Sequence, residues 1–291
     1  MSTPISFTKG HGTGNDFVIV DDRDGALSHT GALERDTRAA MADRRRGIGC
    51  DQLLVLGKPS NGAGDVFMRV YNPDGGEVEA CGNGTRCVAA LVMGEGGKDT
   101  LGVETVAGIL ASTRNADGTV SVDMGEPRLE WDQIPLAREM DTLSVDMAYI
   151  PYTDPVAVNM GNPHVVFFVD DAEAVPLEEC GPVLENDPLL LQRANIEFVE
   201  KKADGSLRMR VWERGCGITL ACGSGASAVG VAAYRAGLSG RVSDIVMDGG
   251  MVTIDWQDDG TDSGRVIMQG PVAYVCQGHL SDELDQCLRA V

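Results

Sequence analysis

The chain has 291 residues and carries 44 Asp and Glu against 24 Lys and Arg, a formal charge of −20. That length suits two domains of roughly 100–200 residues, each large enough for a core without staples. So acidic a chain excludes nucleic acid as a partner, because binding a phosphate backbone needs clustered Lys and Arg. An anionic ligand would need a local site built from helix ends and one or two arginines.

From the N-terminus, Met1-Ser-Thr-Pro-Ile-Ser-Phe7 has no basic stretch followed by an apolar run, and no window approaches the about 18 apolar residues of a membrane span. A cytoplasmic protein with no membrane partner is therefore expected. The pattern predicts a strand over 5–9, a loop over 11–17 (His11-Gly-Thr-Gly-Asn-Asp-Phe17) and a strand over 18–22. A helix follows over 33–45, ending in the solvated run Arg44-Arg45-Arg46, and then a strand over 52–56. After a helix over 83–93, short alternating strands crowd at 101–106, 109–113 and 120–124, with Asp117-Gly118 as a hairpin turn. The stretch 126–155 holds Pro127, Pro135, Pro151 and Pro155 with little periodicity and reads as the crossover between domains. Beyond it, Asn159-Met-Gly-Asn-Pro-His164 leads into an apolar strand, strands recur near 196–201, 207–212, 245–247, 252–256 and 266–269, and a helix spans 224–235.

The second half repeats the first. Ala80-Cys81-Gly-Asn-Gly84 returns as Ala221-Cys222-Gly-Ser-Gly225, and Cys222 − Cys81 = 141 = Met209 − Met68, which aligns Met68-Arg-Val-Tyr-Asn72 with Met209-Arg-Val-Trp-Glu213. Gly14-Asn15 aligns with Gly161-Asn162 at an offset of 147, so an indel separates the copies. The fold class is therefore α+β: two pseudo-symmetric domains from an internal duplication, each a curled mixed sheet around a central helix. The expected domains are 1–130, completed by 275–291, and 131–274.

A cysteine at a helix mouth is chemically poised. Unpaired first-turn amides and the positive end of the macrodipole are expected to lower such a thiol from a pKa of about 8.5 into roughly 3.5–7.5. The neighbouring glycines leave backbone bare for an anion. The other cysteines, at 50, 87, 180, 216, 276 and 287, read as reduced core or surface fillers. Cys81/Cys87 and Cys216/Cys222 each enclose five residues, wider than zinc knuckles, so no metal is expected.

His11-Gly-Thr-Gly-Asn-Asp-Phe17, Gly47-Ile-Gly-Cys-Asp-Gln52, the run 72–84, Gly161-Asn-Pro-His164, Glu213-Arg-Gly215 and the run 221–225 together resemble the diaminopimelate epimerase family, in order from residue 11 to about 240. The resemblance implies cofactor-free epimerisation of LL-2,6-diaminopimelate to the meso form, toward lysine and peptidoglycan precursors, in a cleft between the two halves. Carried over residue by residue, it makes Cys81 and Cys222 the acid/base thiols, assisted by His164 and Glu213. It makes Gly82, Asn83, Gly223 and Ser224 the donors to the α-carboxylate, and Asn15, Gln52, Asn72, Asn162, Asn195 and Arg214 the other substrate contacts. Pro73 and Ile218 depart from the family pattern without removing a matched functional group. The expected partner is a small amino-acid substrate, and a homodimer is the assembly considered.

Chemistry agrees with that resemblance, because inverting a carbon needs one ionised and one protonated group on opposite faces, and two coupled thiols supply that state. The alternative is a racemase or epimerase of proline, hydroxyproline or histidine on the same scaffold. Asn72, Asn195 and Arg214 argue against it, since they suit a second amino-carboxylate end. A pyridoxal-phosphate enzyme would need a Schiff-base lysine, and Lys9, Lys58, Lys98, Lys201 and Lys202 lack a phosphate-loop setting.

Overall fold

In the computed structural model, residues 5–280 are described, apart from 61, 80, 258, 259 and 261–263. The chain divides into two compact units, one made of Met1–Val122 and Pro271–Val291 and the other of Asp123–Gly270. Among the described residues no helix is long and apolar enough to cross a membrane.

The first unit contains strands β1 (Ser6–Gly12), β2 (Asn15–Asp21), β3 (Gln52–Gly57), β4 (Val66–Tyr71), β5 (Glu77–Val78), β6 (Thr100–Thr105), β7 (Gly108–Arg114) and β8 (Val120–Asp123). Its helices are α1 (Ala26–Thr30), α2 (Arg35–Ala42) and α3 (Gly82–Gly96). β1 and β2 form a hairpin, β2 runs parallel to β3, and β3 is antiparallel to β4. β4 runs parallel to β6, and β6, β7 and β8 meander. β5 folds back on the end of β4.

The second unit opens with the short pair β9 (Ala148–Tyr149) and β10 (Tyr152–Thr153). β11 (Val156–Asn159), β12 (Pro163–Phe168), helix α4 (Leu177–Glu185), β13 (Asn195–Lys201), β14 (Leu207–Glu213), β15 (Gly217–Ile218), helix α5 (Gly223–Arg235), β16 (Val242–Met247), β17 (Gly250–Trp256) and β18 (Val266–Gly270) follow. The pairing rule repeats: hairpin β11–β12, parallel β12–β13, antiparallel β13–β14, parallel β14–β16, then antiparallel β16–β17–β18. The chain then returns to the first unit as β19 (Ala273–His279), antiparallel to β1. Each unit is thus an α+β mixed sheet, and the sequence repeat is a repeat of topology. Register makes the equivalence residue-specific: Phe17 faces Gln52 as His164 faces Asn195, and Leu56 faces Met68 as Val199 faces Met209.

Two local features explain how the chain makes these turns and enclosed helices. Residues 11–17 are not a loop but a tight hairpin, in which Gly12 pairs with Asn15 and both turn residues are left-handed, Thr13 at φ 51° and Gly14 at φ 80°. Such a two-residue turn matches the strand twist. The second feature is helix composition. α5 is buried almost all round, including Ala226, Ala228, Val229, Val231, Ala232 and Ala233, the pattern of a helix enclosed by its sheet. A Cβ on Gly230 would fall 2.7 Å from Ile254 Cγ2, so that glycine lets the helix backbone lie against β17. The proline-rich stretch is packed chain: Ile134, Leu136, Val145 and Met147 join Leu177 and Leu184 of α4 in one apolar cluster of the second unit.

Candidate active site

Both thiols are helix N-caps. Cys81 precedes α3 with φ −146° and ψ 111°, Cys222 precedes α5 with φ −123° and ψ 113°, and each side chain accepts a hydrogen bond from the third helical amide. The bonds match, Gly84 N to Cys81 Sγ at 3.4 Å and Gly225 N to Cys222 Sγ at 3.4 Å. Sulfur thus does what a serine or aspartate does at an ordinary cap, satisfying one of the orphan first-turn amides. Glycine at that third position is a packing requirement: a Cβ on Gly84 would meet Leu54 at 3.2 Å, and one on Gly225 would meet Glu197 Oε1 at 2.8 Å.

In the first unit Asn15 links Cys81 to Asn83 and Asp51, and Gln52 and Asn72 form a second hydrogen-bonded pair. Cys81 Sγ lies 3.8 Å from Asn15 Oδ1, which also accepts from Asn83 Nδ2 at 3.3 Å. Asn15 in turn donates to Asp51 Oδ2 at 3.0 Å. Gln52, next to Asp51, donates to Asn72 Oδ1 at 3.2 Å. Arg86, one turn into α3, is fully buried, reaches Thr13 Oγ1 at 3.2 Å, and senses the charges of Cys87 and Cys81, while burial lowers its pKa.

In the second unit the set around Cys222 is more acidic. His164 and Glu197 are both fully buried, with Nδ1 2.7 Å from Glu197 Oε1 and Nε2 2.9 Å from Asn162 Oδ1. Asn195 donates to the Pro163 carbonyl at 3.1 Å and accepts from the Arg214 amide at 2.9 Å. Arg214 Nη1 donates to the Gln192 carbonyl at 3.0 Å. Buried Glu185 holds the turn after β14, accepting from Trp212 Nε1 at 2.7 Å and Gly215 N at 3.0 Å. Glu213 accepts from the Thr219 hydroxyl. Burial raises the Glu213 pKa, a rise tempered by Thr219, His164 and a hydrogen bond from the Cys222 thiol.

The expected lowering of the thiol pKa fails for Cys222. Burial pushes it well above the usual thiol value, and the negative charges of Glu213 and Glu197 add to the rise. The Ser224 hydroxyl and the Gly225 amide pull the other way and lose. A helix end favours an anion only where desolvation and like charge do not outweigh it. Burial likewise raises Cys50 to about 11 and Cys87 to about 12, in keeping with inert fillers. Cys180 is buried, Cys216 and Cys276 are exposed, and Cys287 lies outside the described residues.

Of the fourteen residues singled out from the sequence, six lie in the first unit and eight in the second; Asn15 and Asn83 are hydrogen-bonded into the surroundings of Cys81, and Glu213 and Ser224 contact Cys222. Asp51, Arg86, Glu185 and Glu197 were not singled out. Only Glu197 carried a sequence signal, a carboxylate inside the apolar strand Ile196-Glu-Phe-Val199.

Two copies of one mixed-sheet topology, each opening a central helix at a cysteine cap, define a fold shared with amino-acid epimerases and their structural kin. The chain is similar to the crystal structure of a hydroxyproline epimerase from Agrobacterium vitis with bound trans-4-OH-L-proline, at TM-score 0.69 and 14% identity, covering 95% of this chain and 91% of that one. It is also similar to a Bacillus anthracis phenazine biosynthesis protein of the PhzF family, at TM-score 0.67 and 18% identity, covering 96% and 99%. In sequence it is 53% identical over 278 residues to the diaminopimelate epimerase of Rhodospirillum centenum, covering 96% of this chain and 93% of that protein. The diaminopimelate epimerase family model matches residues 7–130 and 156–275. The chain belongs to the diaminopimelate epimerase family, a family of isomerases.

Proposed function

We propose that this chain epimerises LL-2,6-diaminopimelate to the meso form in the cytoplasm, with Cys81 and Cys222 as the two acid/base groups. The observation that carries the reading is the matched pair of thiol caps on equivalent helices of a duplicated fold, in a chain of this family. One thiolate removes the α-proton and becomes a thiol. The other thiol delivers its proton to the opposite face and becomes the thiolate, so the enzyme finishes one turnover ready for the reverse reaction. Between the two transfers the α-carbon's electron pair spreads into the carboxylate. First-turn amides at Gly82, Asn83, Gly223 and Ser224 are the proposed donors that stabilise that charge where water is excluded.

Asn15, Gln52, Asn72, Asn162, Asn195 and Arg214 are the proposed side-chain contacts, with Arg214 recognising the distal carboxylate. His164 and Glu213 are proposed to manage the proton on Cys222. The test is to incubate reduced protein with LL-diaminopimelate in deuterated water and follow the α-proton by NMR, with proline, hydroxyproline and histidine in parallel. The expected outcome is loss of the α-proton signal together with growth of the meso isomer. Faster exchange of proline or histidine would overturn the substrate, and no exchange with any of them would overturn the chemistry.

A further inference from the structure

Glu197 is a fully buried carboxylate flanked in β13 by the apolar Ile196, Phe198 and Val199. One of its oxygens binds His164 Nδ1 at 2.7 Å, and the other, Oε2, has no hydrogen-bond partner among the described residues. A charge held so deep is costly unless it is paired, and the surroundings show what it is paired with. His164 meets an acceptor at each ring nitrogen, Glu197 at one and the Asn162 carbonyl oxygen at the other. Those two contacts fix the orientation of the ring.

Glu197 also lies under the thiol. A Cβ on Gly225 would stand 2.8 Å from Glu197 Oε1 and 3.2 Å from Cys222 Sγ. Two atoms at 2.8 and 3.2 Å from one point are at most 6.0 Å apart, their sum. At that separation a carboxylate opposes ionisation of a thiol. The ionisable groups acting on this sulfur are Glu197 from β13 and Glu213 from β14, and His164 from β12 contacts Glu197. In the first unit the position equivalent to Glu197 is Leu54, since 197 − 143 = 54, the offset that takes Gln52 to Asn195.

We propose that Glu197 is a positioning residue for Cys222: it fixes the ring of His164 and, as a buried negative charge beside the sulfur, keeps Cys222 the protonated thiol in the resting enzyme. The proposal rests on the two-thiol reading above. It makes the two halves inequivalent by construction, with the second half starting the cycle as proton donor.

The test separates charge from packing with Glu197→Gln and Glu197→Asp in the full chain. Peptide-resolved alkylation by iodoacetamide across pH gives a midpoint for each cysteine without using activity. In Glu197→Gln the Cys222 midpoint falls by about one pH unit or more, while that of Cys81 stays in place. In Glu197→Asp, which keeps the charge, the Cys222 midpoint stays near wild type. With the substrate, Glu197→Gln lowers kcat by about tenfold or more, leaves KM near wild type and shifts the pH profile of kcat. A Cys222 midpoint unmoved in Glu197→Gln overturns the proposal, even where activity or melting temperature drops. So does a midpoint that moves equally in both variants, because packing alone would then explain it. A wild type that exchanges no α-proton defeats the reading of function, and the alkylation midpoints still decide the role of Glu197.

Discussion

Beneath Cys222, the strands that pair at the helix mouth carry His164 and Glu197, whereas in the first unit the equivalent positions, at offsets of 147 and 143, are Phe17 and Leu54. On the helix itself the contrast reverses: Arg86 in α3 stands where α5 has Ser227. The duplication kept the backbone, down to the 3.4 Å amide-to-sulfur bonds, and changed the sign of the buried charge. A buried guanidinium near a thiol favours the thiolate, and buried carboxylates favour the thiol. Two equal scaffolds with opposite electrostatics are what a reaction needs when one group must accept a proton as the other gives one.

Removing either thiol tests that division most severely. Cys222→Ala and Cys81→Ala should each lower epimerisation by at least about 10³-fold, near the upper range for a lost acid or base. Cys222→Ala should retain exchange of the α-proton without inversion for one stereoisomer, whereas Cys81→Ala, left with the thiol that buried charge keeps protonated, should exchange the other stereoisomer far more slowly. NMR in deuterated water with each isomer checks this. A variant that keeps both exchange and inversion near wild-type rates would show that a single base does the work and would end the comparison between the thiols.

The second way to break the comparison is to give the second half the first half's residues. His164→Phe alone leaves the buried Glu197 uncompensated and should cost about 3–5 kcal/mol. Adding Glu197→Leu gives the second unit the residues, Phe17 and Leu54, that the first unit has at the equivalent positions. Replacing a buried ion pair with packed apolar groups is often neutral or stabilising by about 1–4 kcal/mol, so the double variant should recover the stability lost by the single one. Urea unfolding of the two single variants and the double variant measures the coupling. Costs that simply add would mean that His164 and Glu197 are not a pair in solution. The recovered double variant should nonetheless lose about 10²-fold or more in turnover, which separates the pair's contribution to catalysis from its contribution to folding.

Repetition is what made most of this legible in the sequence. A constant offset of 141 ties strand, loop and helix together in both halves, and each further match adds a coincidence that chance would have to supply. Signals that occur once were lost. The return of 275–291 to the first domain was expected, but β19 was not read as a strand, because its residues are mostly exposed and its partner β1 lies at the other end of the chain. α4 was hidden by Pro182 inside it, since an interior proline ordinarily argues against a helix. The sign of the Cys222 shift was beyond reach because it depends on burial and on two carboxylates from separate strands, and local sequence gives only the favourable part of that balance.

Acid should tell the halves apart with the smallest effect. The first unit holds its hairpin with charges, where Asp16 pairs with Lys9 and with Arg44, and Arg44 Nη2 also reaches Asp51 at 2.7 Å. At the equivalent positions the second unit has Pro163 and Ala194, offsets of 147 and 143 from Asp16 and Asp51. Burial alone would raise Asp16, but the hydrogen bonds and charges of Arg44 and Lys9 outweigh it and hold the pKa at about 2, below the ordinary 3.8. A carboxyl lowered on folding contributes stability that is present above its unfolded value and fades as pH falls through its folded one. After allowing for solvent screening of the exposed Arg44, that contribution is about 1–2 kcal/mol at neutral pH. Asp16→Asn should therefore be destabilised by about that much near pH 7, and its unfolding midpoint should converge with wild type between about pH 4 and pH 2. Hydrogen exchange resolved by segment should place the loss in β1, β2 and the residues around Gly49, with β11 and β12 unaffected. A variant whose deficit persists unchanged at the lowest pH would show that Asp16 acts there through shape and hydrogen bonding, and the charged clasp would then not distinguish the first unit from the second.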